Sequence, residues 1–212
     1  MGLPFTVRPV GIDEAPRPGE LPWEMVVRLS QEKALAVQPE PGFDLVVGSD
    51  TAVTVSEDGG VVVLGKPVGP TEIAAMMRRL GGREHSVYTG IAVRDMSARR
   101  GVWGAVRVGV CLRRLDDAAL RAYCASGIGD DKAGAYAVQD RVFSLAESLC
   151  GCASAAMGLP LCLLRRAFQD LDVPVPSRTA VAEGCATLTG LECCLGDGTA
   201  CPEVVVYGNE GC

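Results

Sequence analysis

Two runs of β-forming residues joined by a glycine turn constrain this chain more than any other feature. Leu45-Val46-Val47 reads as a fully buried strand ending at Gly48-Ser49-Asp50-Thr51, after which Val53 and Val55 alternate with polar neighbours. Asp58-Gly59-Gly60 supplies the residues that a tight turn demands, and Val61 to Leu64 returns as a hairpin partner. A hairpin cannot bury its apolar face alone, so other segments must cover it. Pro22 and Trp23 open a helix to about Val37, with Trp23, Val26, Val27, Ala34 and Val37 on one face. A second helix covers about Thr71 to Leu80 and stops at Gly81-Gly82. Val87 to Val93 and Val102 to Leu112 read as strands around a polar loop containing Arg99-Arg100. Asp116 to Ala125 is a short helix stopped near Gly127, and Leu161 to Leu171 is a final amphipathic one. Strands and helices interleaved with hairpins predict an α/β fold, a mixed sheet flanked by helices. No internal repeat is visible.

Composition then removes whole classes of function. Of 212 residues, 48% are hydrophobic and 22% charged, which supports a packed core and excludes disorder over the whole chain. The net charge of -6 argues against gripping a nucleic-acid polymer. No apolar run reaches the roughly 18 residues of a membrane span, and no leader pattern opens the chain, so a cytoplasmic location is expected. His85 is the only histidine, so a multi-histidine metal site is impossible within the chain. It reads as a structural residue at the start of its strand.

The acidic residues and cysteines are unevenly placed. From Asp172 to Cys212 there are six acids and one base, together with five of the ten cysteines. Pro174 and Pro176 mark the same boundary, so residues 1–171 read as the main domain and 172–212 as an acidic, cysteine-rich extension. Cys185, Cys193, Cys194, Cys201 and Cys212 lack a Cys-x-x-Cys pair and read as reduced thiols rather than zinc ligands. Cys150-x-Cys152 reads as two small buried residues. Val204-Val205-Val206 would be a strand if the core needs one.

Two glycine patterns mislead. Gly60 to Lys66 has the spacing of a phosphate-cradling loop, but Pro67 stands where a metal-holding Ser or Thr is needed, and its interior is strand-forming. Gly127-Ile128-Gly129 has no strand-to-helix frame around it.

The informative residues are spread along the chain. Ile12-Asp13-Glu14 precedes the first helix, Lys33 lies on it, and Asp50-Thr51 follows the first strand. Gly65-Lys66-Pro67 comes after the hairpin, then His85-Ser-Val-Tyr-Thr89-Gly90. Asp131-Lys132-Ala-Gly134-Ala-Tyr136-Ala-Val-Gln139 and Gly158-Leu159-Pro160 complete the series. In this order and spacing the set resembles the Maf family, septum-formation-protein relatives that act as nucleoside triphosphate pyrophosphatases. The resemblance runs from Gly2-Leu3-Pro4-Phe5 to about Leu171.

That resemblance implies a Maf/inosine triphosphatase-like fold and cleavage of a nucleotide between its α and β phosphates, with magnesium or manganese. It implies Asp50 as proton acceptor, Asp50 and Glu14 toward the metal, and Glu14, Lys33, Lys66 and Lys132 as charged lining of the pocket. Thr51 and Gln139 match positions linked to base recognition, and the Asp-Lys-Ala-Gly-x-Tyr-x-x-Gln form resembles the branch acting on dTTP and UTP. A homodimer is implied as well. Family members usually carry Ser-x-Ser-Pro-Arg-Arg after a first strand; residues 1–212 contain no such loop, and Ile128-Gly129 replaces the usual Glu-Pro. Those departures set up an alternative, an inactive nucleotide-binding or regulatory relative.

Overall fold

In the computed structural model, residues 2–38, 40–190 and 204–211 are described. Helix α1 spans Pro22–Ala36, starting at a proline and with the Glu24 side chain accepting from the Leu21 N–H. β1 runs Leu45–Glu57 and turns through Asp58 and Gly59, both at positive φ, into β2, Gly60–Leu64. α2 is Pro70–Leu80; β3 (Glu84–Asp95) and β4 (Arg100–Leu112) then form a long hairpin. α3, Asp117–Ser126, is capped by the Asp116 carboxylate at its start and by left-handed Gly127 at its end. A 3-10 turn at Ala133–Ala135 precedes β5 (Ala146–Cys150), the one-turn α4 (Ala153–Ala156) and α5 (Leu161–Asp170). α6 (Arg178–Thr189) and β6 (Val204–Gly211) follow.

The six strands form one sheet in the order β2-β1-β3-β4-β5, with β6 also on β4. The α/β class and flanking helices agree with the sequence reading; the pairing corrects the expected mixed sheet. Every ladder between these strands is antiparallel. The reason is topological. α2 carries the chain from β2 to β3, which run in the same direction, but β1 lies between them and pairs antiparallel with both. The one parallel contact is an isolated bridge, Gly81 to Leu112.

Alternation along the strands divides the core into two layers. Ala52 and Ala105 point toward α1, where Met25, Val26, Val27 and Leu29 cover them. Val53, Val55, Val87, Ile91, Val106 and Val108 point the other way, under α2, α3 and α5. α1 sits unusually close to its face. A Cβ on Gly48 would lie 2.1 Å from the Ser30 carbonyl oxygen, and one on Gly90 would lie 2.4 Å from that of Val26. Only glycine permits this approach.

Several sequence expectations change here. β1 does not end at residues 48–51 but continues to Glu57, because Leu45 to Thr54 pair without a break along β3. Asp50 is therefore a mid-strand residue. Nor is the strand's start fully buried: Leu45 and Val46 are half-buried and Val47 is exposed. The helix beginning at Leu161 is not the last, since α6 lays Val181 and Ala182 against Leu161 and Cys162. Val204-Val205-Val206 opens β6, which pairs with β4 over Arg100 to Val106. Gly60 to Leu64 is strand, as its β-forming residues require. Cys193, Cys194, Cys201 and Cys212 lie outside the described residues.

Candidate active site

β2 pairs only with Val53 to Glu57, so the outer edge of β1 before Val53 carries no strand among the described residues. A cleft of about 560 Å³ opens there. Because it wraps an edge, it receives side chains from both faces of β1. Glu14, Lys33, Asp50, Thr51, Lys66, Lys132 and Gln139, all singled out from the sequence, line it together.

The α1 side of the cleft is charged. The close approach at Gly48 and Gly90 brings Lys33 over Asp50, with Nζ 2.6 Å from Oδ1. Glu14 reaches the same ammonium from the chain preceding α1, its Oε1 2.8 Å away. That preceding segment is held by Arg28 of α1, which donates to both Glu20 carboxylate oxygens at 2.6 and 2.7 Å and to the Ala15 carbonyl at 3.2 Å. Two carboxylates thus converge on one cation. Asp50 is the more enclosed of the two, 9% exposed at its side chain against 45% for Glu14.

Protonation follows from that difference. Burial pushes the Asp50 carboxyl above the ordinary aspartate range, and the hydrogen bond and charge of Lys33 pull it back only in part. The hydrogen bond from Lys33 instead holds Glu14 below its ordinary range, against a smaller effect of burial. Burial alone would lower Lys33, but the hydrogen bonds and charges of Asp50 and Glu14 together hold it above its usual value. A raised carboxylate beside a fixed ammonium is a common setting for a general base.

A tight loop supplies the far wall. Gly134, at φ 68°, donates its N–H to the Gly65 carbonyl at 3.0 Å and so ties the Asp131-to-Gln139 segment to Lys66. A Cβ at Gly134 would meet Val53 at 2.8 Å, which leaves glycine no substitute. Lys132 pairs with Asp131 at 2.5 Å, and Lys66 makes no salt bridge among the described residues. Tyr136 hydrogen-bonds His85 Nε2 at 2.7 Å beneath the cleft. Burial lowers His85 to about 4, so it is neutral near pH 7 and outside the cleft lining, as a structural residue should be.

The other face of β1 presents neutral hydroxyls. Thr51 Oγ1 lies 3.0 Å from Thr89 Oγ1, which reaches the Ala155 carbonyl at 2.8 Å. Ser49 Oγ reaches the carbonyls of Gly90 and Gly158 at 2.8 and 2.7 Å. Ser49 lines the cleft and the sequence reading gave it no role; its only signal was its place next to Asp50. Asp131, Tyr136 and Gly158 also line it; their motifs point to the site but assign them no role.

Three ammonium groups, Lys33, Lys66 and Lys132, face three carboxylates, Glu14, Asp50 and Asp131, and no arginine lines the cleft among the described residues. The side-chain charges of this wall cancel. Among the described residues no group of three His, Cys, Asp or Glu side chains converges as a ready-made metal cage. The cation on which Asp50 and Glu14 meet is the Lys33 ammonium, and their carboxylate oxygens are the donor type that magnesium or manganese takes. Such ions need only one or two carboxylates when phosphates and waters complete the shell.

An α/β fold with one helix laid on glycines thus carries a concave cleft, apolar in part and with a few convergent charged groups, of the class that takes small molecules. The chain belongs to the Maf-like protein family, whose model matches residues 1–171. A dTTP/UTP pyrophosphatase of Pelotomaculum thermopropionicum is 40% identical over 164 residues, 77% of this chain and 84% of the relative. One from Anaeromyxobacter dehalogenans is 41% identical over 173 residues, covering 79% and 85% respectively. A third, from Alcanivorax borkumensis, is 39% identical over 178 residues, covering 82% and 88%.

Proposed function

We propose that this protein is a nucleoside triphosphate pyrophosphatase acting on dTTP or UTP, releasing the monophosphate and pyrophosphate. The observation that carries the reading is the meeting of Asp50, Glu14 and three lysines in one cleft beside a neutral hydroxyl wall. A triphosphate brings about four negative charges, and a wall whose own charges cancel cannot offset them. The reading therefore includes magnesium or manganese held by Asp50 and Glu14, which when bound neutralises phosphate charge and polarises the phosphorus. Lys66 and Lys132 stand where they can hold phosphate oxygens. Lys33 keeps Asp50 in place through Oδ1, leaving Oδ2 to orient the attacking water and take its proton. Thr51 and Gln139 face the base.

The absence of arginine from the described lining supports a second reading, a protein that binds nucleotide without turning it over. One assay separates the two. With magnesium or manganese, purified protein should convert dTTP or UTP to monophosphate and pyrophosphate. Orthophosphate as first product would sink the assignment, and nucleotide binding without product would favour the second reading.

The same reading places the protein in the cytoplasm as a homodimer, with neither nucleic-acid nor membrane partners. The net charge of -6 supports the former exclusion. Among the described residues, no helix is long and apolar enough to cross a membrane.

A further inference from the structure

Thr89 is fully buried on β3, directly opposite Thr51 in the β1–β3 ladder. Its Oγ1 sits 2.8 Å from the Ala155 carbonyl oxygen and 3.0 Å from Thr51 Oγ1. A carbonyl only accepts, so the single Thr89 hydroxyl proton is directed to Ala155. The contact between the two hydroxyls then has one solution, in which Thr51 donates and Thr89 accepts. Thr51 has thereby committed its only proton inside the protein, and its oxygen offers the cleft lone pairs alone. Ser49, two residues earlier on the same face, is in the same state. The groups within reach of its proton are the carbonyls of Gly90 and Gly158, at 2.8 and 2.7 Å.

We propose that Thr89 is a positioning residue for base selection: it fixes the Thr51 hydroxyl as an acceptor, so that this wall favours a base with a ring N–H. The inference rests on the reading above that Thr51 faces the base, with N3 as the ring atom that its oxygen meets. Uracil and thymine carry a proton on N3, whereas cytosine, nearly the same size, presents a lone pair there. Lone pair would face lone pair. Thr51 cannot turn its proton toward the ligand without leaving the buried Thr89 oxygen short of a donor. Mismatches of this kind discriminate more strongly than small differences in size do. The expected preference for uridine over cytidine nucleotide at this wall is about 10- to 100-fold.

The test compares the wild-type protein with Thr89→Val and Thr89→Ser. Dissociation constants are measured by calorimetry with magnesium for the α,β-methylene analogues of UTP and CTP, and kcat/KM for UTP and CTP is measured alongside. Because the analogues resist cleavage, a protein that binds but does not hydrolyse still decides this inference and loses only the pyrophosphatase reading. Wild type should favour the uridine analogue by the stated factor. Thr89→Val removes the acceptor, frees the Thr51 proton to face the cleft, and should bring the ratio to within about threefold of one. Thr89→Ser restores the relay and should keep the ratio.

A Thr89 that merely supports the fold would weaken both analogues equally and leave the ratio intact, which would overturn the proposal. A wild-type protein with no uridine preference, or with no binding of either analogue, would overturn it as well. If circular dichroism finds Thr89→Val unfolded, Thr89→Ala removes the same acceptor with less bulk and gives the same reading.

Discussion

Asp50 and Thr51 are neighbours in the chain, yet the strand turns them to opposite faces and into different chemistry. Asp50 points toward α1, where burial, Lys33 and Glu14 set its charge state. Thr51 points toward β3 and the segment after β5, where buried hydroxyls and carbonyls set the direction of its hydrogen bond. One face manages charge and the other manages donor polarity. On the proposed reading, this strand edge separates the reacting end of the nucleotide from the recognised end, because alternation keeps the two sets of partners from mixing.

The hardest way to break this division is to remove the charge. Asp50→Asn keeps the shape but cannot accept a proton, so turnover should fall about 10²- to 10⁴-fold while the ratio of UTP to CTP binding is unchanged. A variant keeping more than about a tenth of wild-type turnover would rule out the proposed base and point to Glu14 instead. The pH profile gives a second readout of the same residue. Burial raises the Asp50 pKa, so the active ionised form should be lost as pH falls through a value above the ordinary aspartate range. The base preference should not follow that titration.

Acid should strike the recognition layer differently, through stability rather than rate. His85 shares this layer with Val87, and its folded-state value of about 4 lies below the unfolded 6.5. Between those values the unfolded chain binds the proton and the folded chain does not, so folding stability declines as pH falls through that window. The loss should reach about 3 kcal/mol once pH is below both values. His85→Gln in urea titrations should flatten this dependence; an unchanged slope between pH 6.5 and 4 would assign the acid sensitivity elsewhere.

The gentlest perturbation bears on how the charged face is assembled. Gly48→Ala would place a methyl group 2.1 Å from the Ser30 carbonyl oxygen, so α1 must move away. Overpacking of this kind costs roughly 1–3 kcal/mol, measurable as a lower denaturation midpoint. Turnover should drop as Lys33 leaves Asp50, while base preference persists. A variant of unchanged stability would mean that the helix has more room than this spacing allows.

How much of this was legible beforehand varies by residue. The hairpin, α1, α2 and α3 follow from turn glycines, caps and apolar spacing, which act within a few residues of where they are read. The cleft residues Glu14, Lys33, Asp50, Thr51, Lys66, Lys132 and Gln139 were recognisable as an ordered set through a family resemblance, not through any local rule. β5 was missed because Ala146 to Cys150 has little strand character of its own and exists by pairing with β4. α6 was missed because its small residues, such as Ala182 and Gly184, make a weak apolar stripe.

The sequence by itself determined where the chain turns, the presence of α1, α2, α3, α5 and of β1 to β4, and, through a family resemblance, which charged residues belong to one constellation. Tertiary structure alone decided that Asp50 lies mid-strand, that β1 separates β2 from β3 and makes the sheet antiparallel, and that Thr89 orients Thr51. Those outcomes depend on contacts between residues far apart in the chain: Lys33 with Asp50, Gly90 with Val26, Thr89 with Ala155. Local sequence fixes backbone preference over a few residues. A buried carboxylate's charge and a hydroxyl's donor direction are set by whatever distant groups are packed against them.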